Sequence, residues 1–151
     1  MALWDKLKER ALDMTSQAKT QASKHKNKEF ADASMAVCAL IAAADGTISA
    51  EERQKTAGFI TSNDALSIFP ATELLERFNH FAGKLESDYD FGKVEAVQAL
   101  SKLKGKPDAA RAVIQVGIII GGADGEFDKN EMQAVRESCN AVGVAPSEFD
   151  L

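Results

Sequence analysis

Ala44-Asp45-Gly46-Thr47-Ile48-Ser49-Ala50-Glu51-Glu52 sets out a pattern that occurs twice in this chain. Its second copy is Ala123-Asp124-Gly125-Glu126-Phe127-Asp128-Lys129-Asn130-Glu131, at an offset of 79 residues and without a gap. The shared pattern is Ala-Asp-Gly-x-apolar-(Ser or Asp)-x-x-Glu. Each copy follows an apolar run with helical spacing and precedes an amphipathic one. A pattern repeated in the same context points to a duplicated structural unit.

Taken locally, each copy reads as the joint between two helices. Asp-Gly is turn chemistry, because glycine accepts the positive φ that ends a helix. Ser49 with Glu52, and Asp128 with Glu131, have the spacing of a capping box. Phe127 and Met132 also fit a hydrophobic staple, whereas Arg53 replaces the apolar partner in the first copy. Asp, Glu and Ser oxygens are also hard donors suited to calcium or magnesium. Aligned as half an EF-hand loop, Asp45 takes position 5 and Glu52 position 12. Positions 1 and 3 are then Ile41 and Ala43, or Ile120 and Gly122, which carry no carboxylate. A standard EF-hand is therefore rejected. One copy offers too few ligands for tight binding; two copies folded together offer enough.

The flanking runs predict an all-α chain of about seven helices. Residues 2–27 carry Leu3, Trp4, Leu7, Ala11, Met14, Ala18 and Ala22 near a 3.6-residue repeat. Residues 29–44 and 107–121 are the buried helices that precede the joints, and 50–62 and 129–141 are the helices that follow them. Residues 71–86 place Leu74, Leu75, Phe78, Phe81, Ala82 and Leu85 on one face. In 89–104 the spacing puts Phe91, Val94, Val97, Leu100 and Leu103 inward. The architecture expected is a pseudo-symmetric helical bundle with two helix–acidic turn–helix units around a central helix pair. The two helices before the joints would pack together and bring Asp45, Glu52, Asp124 and Glu131 toward one acidic patch.

The pair "AAADGTISAEER" and "GGADGEFDKNEM", with an apolar helix before each, resembles the TerB family of bacterial tellurite-resistance proteins, and the resemblance runs through most of the chain. It implies an all-α fold, a cytoplasmic role in the stress response and a divalent-metal site made by the acidic motifs. It also implies partnership with the integral-membrane TerC protein. On this reading residues 1–28 are a basic amphipathic arm and residues 29–151 the TerB-like domain. Asp45 and Asp124 are the primary metal carboxylates, Glu52 and Glu131 the secondary ones, and Ser49 and Asp128 supporting ligands, with calcium the first ion to consider.

Composition narrows the alternatives. At 151 residues one domain is expected. The net charge of −5 argues against general nucleic-acid binding. Residues 1–28 carry +4 and the remainder −9, so a basic arm that begins with Trp4 can lie on an anionic membrane surface, at the inner face of the membrane. Docking of the same arm on the domain is the plainer alternative. The N-terminus has no apolar leader, and no run of about 18 apolar residues suggests a spanning helix. Cys38 and Cys139 lie in apolar patterns and His25 and His80 match no zinc spacing, so buried thiols and no zinc site are expected. No nucleophile–base arrangement or phosphate loop is present, so an enzyme is not expected. What remains is a monomeric, metal-responsive interaction module, or a purely structural adaptor whose acidic motifs are helix caps.

Overall fold

The computed structural model describes residues 11–125 and 127–151, with side chains from Met14 onward. The described residues form seven α-helices and no strand. They are α1 (Ala11–Lys24), α2 (Lys28–Ala42), α3 (Ala50–Ser62), α4 (Ala71–Ser87), α5 (Tyr89–Ser101), α6 (Pro107–Gly121) and α7 (Lys129–Val142). Short 3₁₀ turns cover Asp64–Leu66 and Pro146–Phe149. The expectation of an all-α chain holds.

Local chemistry sets the element ends. Asn27 caps α2 by accepting the Phe30 N–H at 2.9 Å, and Asp88 caps α5 by accepting the Phe91 N–H at 3.2 Å. Pro107 opens α6, where its missing N–H costs nothing. Gly143 closes α7 in the left-handed conformation.

The core is built around α2, which packs against α4, α5, α6 and α7. Phe30, Ala33, Met35, Ala36, Val37 and Ala39 are fully buried. The alanines let neighbouring backbones approach, and Phe30 stacks on Phe69 at 6.0 Å. Burial of a side chain such as Phe30 or Phe78 contributes about 1.5–3 kcal/mol. Helix α6 crosses α2 closely: a Cβ on Gly117 would lie 2.9 Å from Val37 Cγ2, and one on Gly121 2.8 Å from Ile41 Cγ2. The two helices that precede the joints therefore pack on each other, as expected.

The expected N-terminal stripe falls partly outside the described residues, because Leu3, Trp4 and Leu7 precede Ala11. Within α1, Met14, Ala18 and Ala22 are buried and the helix lies along α6. Gln115 Nε2 donates to Gln17 Oε1 at 2.7 Å across that contact.

One expected face is right only in part: Leu100 and Leu103 are buried and Val97 is half-buried, as the spacing predicts. Phe91 and Val94 are 77% and 55% exposed, not inward. The buried face of α5 is Gly92, Ala96, Ala99 and Leu100. A Cβ on Gly92 would lie 2.6 Å from the Leu85 backbone nitrogen, so α4 and α5 meet almost backbone to backbone. Only Asp88 separates these two helices in sequence, and the tight corner is compatible with small residues alone. Close approach overrides hydrophobic spacing here.

Candidate functional site

The two joints repeat each other bond for bond. In the first, Ala43 N–H donates to Ala39 O, Ala44 N–H to Ile41 O and Gly46 N–H to Ala43 O at 3.0, 3.2 and 2.9 Å. In the second, Gly122 N–H donates to Ile118 O, Ala123 N–H to Ile120 O and Gly125 N–H to Gly122 O at 3.0, 3.2 and 3.0 Å. Gly46 and Gly125 both take positive φ, +96° and +86°. Every L side chain is strained there, which is why glycine stands at both positions. Ile48 and Phe127 then turn inward and anchor each joint on the core.

Past the anchors the copies diverge. Asp128 Oδ1 accepts the Glu131 N–H at 2.8 Å, and Glu131 Oε1 accepts the Asp128 N–H at 3.0 Å, which completes a capping box. In the first copy Ser49 Oγ accepts the Glu52 N–H at 3.1 Å but donates to Glu52 Oε1 at 3.0 Å, so the Glu52 carboxylate engages the hydroxyl. Arg53, which stands where the second copy has Met132, ties α3 to α4. It donates to Asn79 Oδ1 at 3.2 Å and pairs with Glu86 at 3.1 Å.

Between the joints lies a cleft lined by Asp45, Glu52, Asp124, Asp128 and Glu131. Five of the six residues singled out from the sequence therefore line one recess, contributed by both copies. Ser49 does not line it. The walls also include Lys55, Thr56 and Phe59 of α3, and Cys38, Ile41, Ile120 and Gly121 of the central pair. The spacing argument missed Lys55, although it sits three residues after Glu52 and so shares a helix face with it.

The electrostatics of the recess are those of crowded carboxylates. The Glu131 carboxyl is pushed up to about 7, first by burial and then by the charges of Asp128 and Asp124; the hydrogen bond from the Asp128 N–H opposes this. Asp45 Oδ1 accepts the Thr47 N–H at 3.3 Å, which leaves its other oxygen uncommitted to that bond. Lys55 Nζ lies 3.5 Å from Asp124 Oδ2. Among the described residues no three His, Cys, Asp or Glu side chains are already grouped tightly enough to hold a metal. The donor set suits a hard cation in kind and charge, and the side chains would have to converge on it. Cys38, on the cleft wall, is 1% exposed and burial pushes its thiol far up. Burial, with the charge of Glu148, pushes Cys139 up to about 12. Both thiols thus stay protonated near neutral pH, which makes them poor nucleophiles.

The fold and cleft define an all-helical protein with a duplicated Asp-Gly joint and a carboxylate-rich recess between the copies. The chain belongs to the TerB family of tellurite-resistance proteins: the family model described as tellurite resistance protein TerB matches residues 31–151. It is also similar to the tellurium resistance protein TerB of an Alcaligenes species, at 36% identity over 118 residues, which is 78% of this chain and 97% of that relative. No solved structure matches the chain. Among the described residues no helix is long and apolar enough to cross a membrane.

Proposed function

We propose that this TerB-family chain is a non-enzymatic interaction module of tellurite resistance that binds a divalent cation, calcium first, in the cleft between its joints. The observation that carries the reading is the convergence of Asp45, Glu52, Asp124, Asp128 and Glu131 from both copies on one recess. Oxygen donors of this kind bind calcium at roughly 2.3–2.6 Å. Asp45 and Asp124 would hold the ion from the two turns, and Glu52 and Glu131 from the helix starts. Neutralising carboxylates that repel one another would draw the joints together and alter the surface offered to a partner. Family membership supports a membrane partner of the TerC type. The +4 charge of residues 1–28 supports peripheral placement at an anionic cytoplasmic membrane face.

A second reading has a specific observation in its favour. Ser49 and Asp128 both already serve as N-caps, and Glu131 completes its capping box. The motifs would then be structural joints in an adaptor. Amide NMR shifts during calcium and magnesium titration separate the two. The cation reading expects shifts clustered at 44–56 and 123–132 that disappear in Asp45→Ala/Asp124→Ala, with helical circular dichroism retained. A double variant that titrates like the parent would remove these residues from the site.

A further inference from the structure

Among the described residues that line the cleft, Lys55 is the one cation. It stands on α3, which leaves the first joint, yet its Nζ lies 3.5 Å from Asp124 Oδ2 in the second. The ion pair therefore crosses the recess from one copy of the motif to the other. The lysine side chain is 55% exposed and the aspartate 32%. Water screens a pair this exposed, so it is held only weakly. A lysine ammonium is a compact charge on a flexible stem, able to swing away without disturbing the backbone.

The repeat makes this contact one-sided. At the same offset of 79 residues that relates the joints, the second copy has Ala134 where the first has Lys55. The second copy thus supplies no amine at the matching register toward Asp45. Of the positions at which the two copies differ in charge, Lys55 is the one whose amine reaches the opposite copy's turn carboxylate, Asp124.

We propose that Lys55 is a tethered competitor for the cation position at Asp124, so that a divalent ion enters the cleft by displacing its ammonium. The inference rests on the cation-binding reading above. A positive charge a few ångströms from the ion opposes it directly, and it also occupies the carboxylate that the ion needs. Lys55 therefore sets a threshold: it keeps the recess closed to weakly attracted cations and yields when the ion concentration rises. It also makes the two half-sites unequal, with the Asp45 side open and the Asp124 side guarded.

Calorimetric titration of the full chain with calcium and with magnesium, at low ionic strength, tests this with Lys55→Met and Lys55→Arg. Methionine keeps the apolar stem and removes the charge. Lys55→Met is expected to bind calcium about 3–10-fold more tightly than the parent, the gain expected for removing one nearby charge at a partly solvated site. Lys55→Arg, which keeps the charge, is expected to stay within about twofold of the parent. The gain is expected to shrink in about 1 M monovalent salt, where screening acts over about 3 Å. Calcium binding by the parent that Lys55→Met leaves unchanged or weakens would overturn the competitor and leave the cation reading standing. Absence of calcium binding in the parent and in every variant would refute both. Melting in chelator adds an independent readout: a Lys55→Met chain that loses several degrees and binds no tighter makes Lys55 a structural tie, which also overturns the proposal.

Discussion

Replacing Glu131 by Gln removes a charge that the folded chain holds at a cost. In the fold its carboxyl titrates at about 7, against an ordinary value of 4.5, chiefly because the joint buries it beside Asp128 and Asp124. The sign follows from linkage. Between these two values the folded chain holds the proton more tightly than the unfolded chain does, so stability falls as pH rises through the window from about 4.5 to about 7. A difference of one pH unit between the two states is worth about 1.4 kcal/mol, and a partly solvated carboxylate realises only a fraction of the full sum, giving about 1–2 kcal/mol. Glutamine does not titrate, and its amide oxygen can still accept the Asp128 N–H that completes the capping box. Glu131→Gln is therefore expected to match the parent within about 0.5 kcal/mol at about pH 4.5 and to exceed it by about 1–2 kcal/mol at about pH 8. At about 2–4 °C per kcal/mol for a chain of this size, that is a gain of several degrees in melting temperature. The assay is urea unfolding in metal-free buffer at both pH values, which isolates the mutant-minus-parent difference from the chain's other carboxylates. A difference that stays constant between the two pH values would refute the burial argument. One that favours the parent more strongly at the higher pH would mean that the Glu131 charge stabilises the joint.

Two further outcomes probe the fold. Gly92→Ala forces a Cβ to within 2.6 Å of the Leu85 backbone, which cannot yield as a side chain would, so a loss of about 1–3 kcal/mol or more is expected in chemical unfolding, and a neutral result would mean that the α4–α5 corner opens at little cost. Asp128→Ala removes the α7 cap and is expected to cost about 0.5–2 kcal/mol in chelator, with Asp128→Asn close to the parent because asparagine caps as well; equal losses in both would point to the charge and not the cap.

How much of this was legible beforehand depends on what kind of force sets each feature. The joints were legible because their residue types are nearly dictated by backbone geometry. Gly46 and Gly125 take conformations that strain other residues, and Ser49 and Asp128 satisfy N–H groups that a helix start always exposes. The grouping of Asp45, Glu52, Asp124 and Glu131 followed from the duplication, since two helices packed together carry the joints that follow them to neighbouring positions. The face of α5 was legible at Val97 and Leu100 but not toward its N-terminal end. Periodicity rewards large apolar residues, and Phe91 and Val94 outweigh Gly92, Ala96 and Ala99 on any such scale. The structure instead buries the small residues, because the one-residue link at Asp88 brings two backbones together. Lys55 escaped for the opposite reason. A lone lysine on a solvated helix is ordinary, and its reach to Asp124 exists only once both copies face each other. A signal was nonetheless present in the duplication itself. Where paired positions of two such joints carry the same residue, backbone geometry accounts for it; where they differ, as Lys55 and Ala134 do, the surroundings beyond the turn decide, since Ala134 is buried in the core while Lys55 stands exposed at the rim of the recess.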